Sequence, residues 1–425
     1  MSLEVLIIAI IALMFLRVPV AFALLGPCLA YMVTNGASLG LATRTMLAGI
    51  NSFPLLAVPL FVLVGSLANR SGIAERMFDF AAAVLGRLRG GLAYVTLGVN
   101  VGFSWMSGSS LADAAAMGKL MVPAMVDRGF RRPFSAGLSA SSSLIAAVMP
   151  PSIPAILYAS IALVSTSALF AASIVPALIM VACLAGAVWW WVRGRDDLRG
   201  EPFTWRRLGQ ASLRVIGPAV TPVIILGGIL AGFFTPSEAA GVAAFYVLVL
   251  GLSYRSLTVR QLPGIFVEAA LTTASVMLIL GTSSVLGWVL AREQVPRHLA
   301  ELLQGITDNP YVFLILVNIV LLLLGIFIEA GPAIVIAVPI LYPIAEAFGV
   351  DPLHFGVIVI VNLVIGLLSP PVGGVLFVIS GVTKTPLGEV IRGVWPFFVP
   401  LLAALLIITF VPALSTWLPA ALGLG

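Results

Sequence analysis

The segment at residues 134–163 reads FSAGLSASSSLIAAVMPPSIPAILYASIAL, and two adjacent prolines interrupt it near its centre. A Pro-Pro pair cannot continue a helix, because two backbone donors are missing and the second proline excludes its neighbour from the helical region. The break leaves free carbonyl groups at the end of one half-helix and free N–H groups at the start of the other. Such groups are costly in lipid, so we expect the break to line a cavity inside the protein.

A second segment, HFGVIVIVNLVIGLLSPPVGGVLFVISGV at residues 354–382, carries the same interruption. The carbonyl ends of the half-helices suit Na⁺, and their N–H ends suit a carboxylate. We therefore predict an ion or substrate site at the two breaks; the alternative is a pair of proline kinks satisfied by neighbouring helices. The candidate residues at the breaks are Met149, Pro150, Pro151, Ser152, Ser369, Pro370, Pro371, Gly373 and Gly374.

The composition around these segments is that of a membrane protein. Of the 425 residues, 61% are hydrophobic and 9% are charged, and apolar runs such as 236–254 are long enough to cross roughly 30 Å of hydrocarbon as helices. The runs are continuous and do not alternate, so we expect an all-α polytopic fold and not a barrel. Two cysteines and two histidines are too few for a zinc site or a disulfide framework, so no cofactor is expected.

Arginines indicate how the chain is oriented. The polar segment 193–214 contains six of them, and basic residues accumulate on the cytoplasmic side of a membrane protein. We therefore place this segment in the cytoplasm and both termini outside, and we do not interpret the net charge of +5 as a sign of nucleic-acid binding. The six are Arg193, Arg195, Arg199, Arg206, Arg207 and Arg214.

Prolines and glycines recur at an offset of 220 residues, which indicates an internal repeat unless the alignment arises by chance in a biased composition. Five crossings separate equivalent points, so the second copy should be inverted, as in secondary transporters with interrupted helices. The matched residues are Pro123 and Pro343, Gly129 and Gly349, Pro150-Pro151 and Pro370-Pro371, Ser160 and Ser380, and Pro176 and Pro396.

Each predicted repeat is about 210–220 residues long and contains spans, a surface arm helix, a re-entrant hairpin and a broken helix. The first repeat covers 1–212, with scaffold spans 1–70, arm 75–90, hairpin 91–126, broken helix 134–163, span 167–192 and cytoplasmic loop 193–214. The second covers 213–425, with spans 215–290, arm 295–310, hairpin 311–347, broken helix 354–382 and span 395–414.

The hairpin tips complete the predicted site, because each should face one of the breaks. In the first tip, Ser109 or Ser110 can cap the returning helix, and Asp113 falls in that helix's first turn. Asp113 serves either ion coupling or structural pairing, since an intramembrane carboxylate faces a pathway or a partner. In the second tip Glu329 lies near the ion path or caps the following helix, and we favour the cap. The tip residues are Ser107, Gly108, Ser109 and Ser110, and Glu329, Ala330 and Gly331.

Four stretches together resemble the large membrane subunit of tripartite ATP-independent periplasmic (TRAP) transporters. They are SGSSLADAAAMGKLMVPAM (107–125), MPPSIPAILYAS (149–160), IEAGPAIVIAVPILYPIA (328–345) and LLSPPVGGVLFVISGV (367–382). The resemblance implies a bacterial inner-membrane importer of organic acids such as C4-dicarboxylates or sialic acid, driven by Na⁺ and moving as an elevator. It also implies two partners: a small four-helix membrane subunit and a soluble periplasmic substrate-binding protein.

Carried onto this sequence, the resemblance implies two Na⁺ sites with the substrate between them. One lies near Ser109, Ser110 and Pro150, and the other near Gly331, Ser369 and Pro371.

The alternative family is the stand-alone divalent-anion/Na⁺ symporters, which share the architecture and need no binding protein. Their Ser-Asn-Thr tips are absent here, which favours the TRAP interpretation. We do not expect an enzyme, because Ser109 with Asp113 is the only candidate pair for a nucleophile and a base, and neither histidine lies near it in the sequence.

Overall fold

The structure is a computed structural model that describes residues 1–16, 18–195, 198, 203–305, 307–370 and 372–424. The described residues form helices joined by short turns, and no strand occurs among them. The helices are α1 Leu3–Phe15, α2 Val20–Thr34, α3 Leu39–Ile50, α4 Ala57–Ala68, α5 Ile73–Leu85, α6 Gly91–Ser107, α7 Ser110–Asp127, α8 Arg132–Ser143, α9 Ile145–Val148, α10 Ile153–Ala162, α11 Thr166–Val192, α12 Trp205–Pro222, α13 Gly228–Leu230, α14 Pro236–Ser253, α15 Leu262–Arg292, α16 Val295–Gln304, α17 Pro310–Phe327, α18 Ala330–Ala347, α19 Pro352–Gly366, α20 Gly374–Thr383, α21 Leu387–Phe410 and α22 Ala413–Ala421.

Length and hydropathy make this a polytopic membrane protein. Within the described ranges, eight helices are long and apolar enough to cross a membrane, and a ninth span is formed if α3 and α4, which meet at an angle of 66°, are counted as one. The predicted all-α polytopic class is therefore confirmed. The sequence did not predict this bend, which lies at Asn51 and Ser52, between α3 and a 3₁₀ turn at Phe53–Leu56 that leads directly into α4.

Capping residues set where several helices begin. Ser165 accepts a hydrogen bond from the Ala168 amide at the start of α11, and Thr235 with Glu238 forms a reciprocal capping box at the start of α14. Each cap satisfies backbone donors that have no partner inside the helix. The start of each of these helices is therefore determined by residues close to it in the sequence.

The observed helices differ from the predicted segments in their bounds. The arms at 75–90 and 295–310 correspond to α5 and α16, and the last predicted span, 395–414, corresponds to α21, which begins eight residues earlier. The second half of the segment 193–214 is not a loop, because α12 begins at Trp205 and continues through the arginines that follow. Ten residues lie outside the described part of the chain. Six of them belong to the segment 193–214, namely Asp196, Asp197, Arg199, Gly200, Glu201 and Pro202, and the others are Arg17, Ile306, Pro371 and Gly425.

Glycines allow the two broken helices to approach their neighbours closely. A Cβ on Gly137 of α8 would lie 2.0 Å from the Gly393 carbonyl oxygen on α21, and one on Gly325 of α17 would lie 2.7 Å from the Leu363 oxygen on α19. Small residues permit this backbone approach between helices in a membrane. The broken helices consequently occupy the protein interior, and 83% of the apolar window within 132–162 is buried.

Buried amides tie the first helix of each hairpin to the first half of a broken helix. The Asn100 amide donates to the Ser142 hydroxyl at 3.0 Å, and the Asn362 amide donates to the Asn318 carbonyl oxygen at 2.7 Å. Asn318 in turn donates to the Thr409 hydroxyl at 3.1 Å. These bonds fix the hairpins against the breaks, since a buried polar group that loses its partner is costly.

Candidate functional site

The first hairpin tip contacts the first break. Ser109 caps α7 by accepting a hydrogen bond from the Ala112 amide at 3.4 Å, so the predicted capping role is confirmed for this serine. Gly108 has a left-handed backbone with φ of +61°, and its carbonyl accepts a hydrogen bond from the Ile153 amide at 3.3 Å. A Cβ at Gly108 would lie 2.7 Å from the Pro151 carbonyl oxygen, so only glycine fits this contact.

The first break is closed by serines that bind the free backbone groups. Ser152 caps α10 by accepting from the Ala155 amide at 3.2 Å and donates to the Ala147 carbonyl on the other side of the break. The Ser110 hydroxyl donates to the Leu144 carbonyl at 3.5 Å. Part of the polar backbone exposed by the prolines is thereby satisfied within the protein.

Asp113 lies in the first turn of α7 and is completely buried. The Ser107 side chain lies beside it, and neither carboxylate oxygen nor the Ser107 hydroxyl makes a hydrogen bond of standard geometry among the described residues. A buried carboxylate with at most this one weak donor is costly unless a cation or a proton accompanies it. These oxygen atoms therefore form an acceptor group suited to a hard cation.

The second tip differs from its prediction in one respect. Glu329 occupies the N-cap position of α18, but its side chain makes no capping hydrogen bond, so the favoured interpretation as a helix cap was wrong. The side chain is instead exposed to a cavity. The second tip reaches the second break through the Gly373 amide, which donates to the Ile326 carbonyl at 3.2 Å.

A single cavity of about 400 Å³ receives both tips, which is the size of a small-molecule site. Of the predicted site residues, those that line it are Ser107, Gly108, Ser109, Ser110, Glu329, Ala330 and Gly331. Those described by the structure but absent from its lining are Asp113, Met149, Pro150, Pro151, Ser152, Ser369, Pro370, Gly373 and Gly374; Pro371 lies outside the described residues. The two hairpin tips therefore line the same cavity, whereas the predicted residues of the breaks do not line it.

The opposite wall of this cavity, formed by α4 and α15, was not predicted from the sequence. Ser66 and Asn69 come from the end of α4, and Glu268, Thr272 and Ser275 come from α15. The three polar residues of α15 follow one another at spacings of four and three, which places them on one helix face. Polar residues at this spacing in an otherwise apolar helix are the sequence feature that could have identified this wall.

The lining of the cavity is acidic. Among the described lining residues the charged side chains are Glu268 and Glu329, and none is lysine, arginine or histidine. An anion bound here must therefore be stabilised by hydroxyl groups, by the N–H groups at the starts of α7 and α18, or by a cation that enters with it. No group of three or more His, Cys, Asp or Glu side chains suited to a metal ion occurs among the residues that were described.

Interrupted helices and hairpin tips that enclose a cavity in a helical membrane protein are typical of the class of secondary transporters. The family model described as "Tripartite ATP-independent periplasmic transporter, DctM component" matches residues 7–414. The chain is 41% identical to the sialic acid TRAP transporter large permease protein of Vibrio cholerae, over 96% of each chain. It is 34% identical to the C4-dicarboxylate TRAP transporter large permease protein of Rhodobacter capsulatus, over 98% of each. The chain belongs to this TRAP large permease family.

The fold is also found in a solved structure at low sequence identity. The Alcanivorax borkumensis YdaH transporter superposes with a TM-score of 0.62 at 15% identity and covers 91% of this chain and 90% of its own. This likeness concerns the fold alone.

Proposed function

We propose that this chain is the large permease subunit of a Na⁺-coupled importer of organic acids in the bacterial inner membrane. The observation that carries the proposal is the cavity, which is lined by both hairpin tips and contains acidic but no basic side chains among its described lining residues. An organic anion in such a space lies near two carboxylates, so a cation that enters with it lowers the electrostatic cost of binding, and an inward Na⁺ gradient supplies both that cation and the driving force.

The proposed substrate carries at least one carboxylate. The two relatives compared above are named for sialic acid and for C4-dicarboxylates, and both are organic acids. In this chain the first turns of α7 and α18 present backbone N–H groups at the cavity, and Ser109 and Ser110 add hydroxyls. Helix N-termini favour carboxylates, which supports an organic acid as the substrate.

The proposed Na⁺ sites lie where each tip meets its break. The first lies near Ser109, Ser110 and Pro150, and the partnerless oxygens of Ser107 and Asp113 beside it support a cation there. The second lies near Gly331, Ser369 and Pro371. Residues 1–212 and 213–425 form the two inverted repeats of this proposal, and their hairpins and broken helices move together as the elevator.

The proposed assembly includes a small four-helix membrane subunit and a periplasmic substrate-binding protein. The family description, which names a tripartite periplasmic transporter, supports both partners. No enzymatic step is proposed, since the relatives compared above are transporter permeases.

The test is uptake of radiolabelled sialic acid or succinate into proteoliposomes that contain this chain with its small subunit. Uptake that requires both the loaded binding protein and an inward Na⁺ gradient is the expected result. Asp113→Asn should abolish it while the complex remains intact in size-exclusion chromatography, and Asp308→Asn, at an exposed position, is the matched control. Uptake without a binding protein would instead support a stand-alone divalent-anion/Na⁺ symporter, and absence of uptake of either acid would contradict the proposal.

A further inference from the structure

An ion pair lies at one end of the cavity. The Arg70 guanidinium contacts the Glu268 carboxylate at 2.6 Å. Glu268 is itself part of the cavity lining, as is Asn69, which precedes Arg70 in the chain. The pair joins the end of α4 to the second turn of α15, and both of its side chains are about half exposed, so it lies where the cavity lining at Glu268 meets the protein surface.

This end of the cavity faces the side of the membrane that we propose to be cytoplasmic. Helix α4 ends at Ala68, shortly before Arg70 and Arg76, and α15 begins at Leu262, shortly after Arg255 and Arg260. Basic residues accumulate on the cytoplasmic side of a membrane protein. A substrate that leaves the cavity by this route passes Arg70.

Local hydrogen bonds hold Arg70 on a fixed turn. The Arg70 amide donates to the Leu67 carbonyl at 3.1 Å, and the Ser71 amide donates to the Ala68 carbonyl at 3.3 Å. The Ser71 hydroxyl, which is fully buried, donates to the same Ala68 carbonyl at 2.9 Å. The guanidinium therefore extends from a hydrogen-bonded turn at the end of α4 to Glu268 in the cavity lining.

The next arginine in the chain, Arg76 in the first turn of α5, is engaged elsewhere. Arg76 donates to the Gly72 carbonyl at 2.7 Å and stacks on the Tyr254 ring with 3.6 Å between its guanidinium carbon and the ring centroid. By contrast, the side chains of Arg70 and Glu268 remain about half exposed, at 48% and 53%. Exposed ion pairs are weak in water, so an incoming anion can displace Glu268 from Arg70.

A polar path connects this pair to the interior. Glu268, Thr272 and Ser275 share the face of α15 that lines the cavity, and Ser275 lies about 10 Å along the helix axis from Glu268. The path offers hydroxyl groups to a departing substrate. Glu268, however, repels a carboxylate unless Arg70 neutralises it.

We propose that Arg70 binds the carboxylate of the substrate at the cytoplasmic mouth of the cavity and that Glu268 competes with the substrate for it. The proposal rests on the proposed function in one respect, namely that the cargo is an organic acid. A guanidinium binds a carboxylate with two parallel hydrogen bonds, and each substrate carboxylate that replaces Glu268 leaves that side chain free to turn toward water. Arg70 thus binds the substrate carboxylate at the mouth of the cavity, and Glu268 displaces the substrate again when its own carboxylate returns to Arg70.

This role predicts that the two single substitutions act in opposite directions. Glu268→Gln frees Arg70 for the substrate, so the half-saturating concentration of the acid on the cytoplasmic side should fall by about tenfold, as expected for a charge-assisted hydrogen bond. Arg70→Gln removes the cation and leaves Glu268 unpaired, so the same concentration should rise by about tenfold. Arg70→Lys retains the charge without the paired geometry and should fall between wild type and Arg70→Gln.

The experiment measures exchange of radiolabelled sialic acid or succinate, whichever the wild-type complex imports, in proteoliposomes with the cytoplasmic face outward. Arg260→Gln, at an exposed position near the same end of α15, is the control and should leave the half-saturating concentration unchanged. Thermal unfolding of each complex, followed by tryptophan fluorescence, verifies that the variants fold.

A purely structural ion pair gives a different pattern. Both single variants would then shift the half-saturating concentration in the same direction, and the reversed pair Arg70→Glu with Glu268→Arg would restore wild-type behaviour; that pattern, or no shift at all, overturns the inference. Wild-type exchange in that experiment would leave the proposed function intact. Failure of the wild-type complex to transport either acid would instead contradict the proposed function.

Discussion

Gly108 offers the sharpest test of the contact between the first tip and the first break. Its φ of +61° costs an alanine about 1 kcal/mol. In addition, the new Cβ would lie 2.7 Å from the Pro151 carbonyl oxygen, whereas ordinary contacts begin at 3.4 Å. Overpacking of this kind costs about 1–3 kcal/mol, so Gly108→Ala should destabilise the complex by about 2–4 kcal/mol in total if the tip stays in place.

The tip can relieve this overlap only by moving away from the break. Gly129→Ala is the matched control, because Gly129 also has a positive φ, of +87°, but a Cβ there meets nothing within 4 Å. The control therefore bears the backbone cost of about 1 kcal/mol without the overlap.

The assay compares thermal unfolding and Na⁺-dependent uptake of the two variants. Metal–ligand distances tolerate about 0.2 Å, so a tip displaced by several tenths of an ångström should raise the half-saturating Na⁺ concentration at least tenfold in Gly108→Ala and not in Gly129→Ala. Equal behaviour of the two variants in both measurements would refute the reasoning, because the Pro151 contact would then have no consequence.

Three further substitutions test other parts of the account. Ser152→Ala removes the cap of α10 and should lower the free energy of unfolding by about 1 kcal/mol, measured as a lower unfolding temperature; an unchanged temperature would contradict the role of this cap. Gly137→Ala places a Cβ 2.0 Å from the Gly393 oxygen and should prevent recovery of a monodisperse complex, while Gly186→Ala, which meets nothing within 4 Å, should purify as wild type. Asp113→Glu keeps the charge but adds a methylene in a fully buried position, so Na⁺-driven uptake should fall at least tenfold; full activity would place the ion elsewhere.

The breaks and caps could be predicted from the sequence because their causes are local. A proline pair ends a helix whatever surrounds it, and Ser109 caps α7 because a serine before an apolar run satisfies the first free N–H groups. The prediction that Glu329 caps α18 was wrong, and the reason is also local. Glutamate is not among the residues preferred at the N-cap, and here its side chain is exposed to the cavity and makes no capping bond.

The far wall of the cavity could not be predicted, because it depends on which helices pack together. Glu268, Thr272 and Ser275 share one face of α15, but only the packing of α15 beside α4 and opposite the tips turns that face into a lining. The ion pair between Arg70 and Glu268 joins residues 198 positions apart, a separation at which sequence spacing carries no information. Tertiary structure was needed for both.

The central claim is that the acidic cavity binds an organic anion only together with Na⁺. The most direct measurement is equilibrium binding of radiolabelled sialic acid or succinate to the purified complex of large and small subunits, in NaCl and in choline chloride at equal ionic strength. The account predicts binding that rises with Na⁺ concentration and is lost in choline chloride. Equal affinity in the two salts would contradict it, since the described lining of the cavity would then hold the anion without a coupled cation.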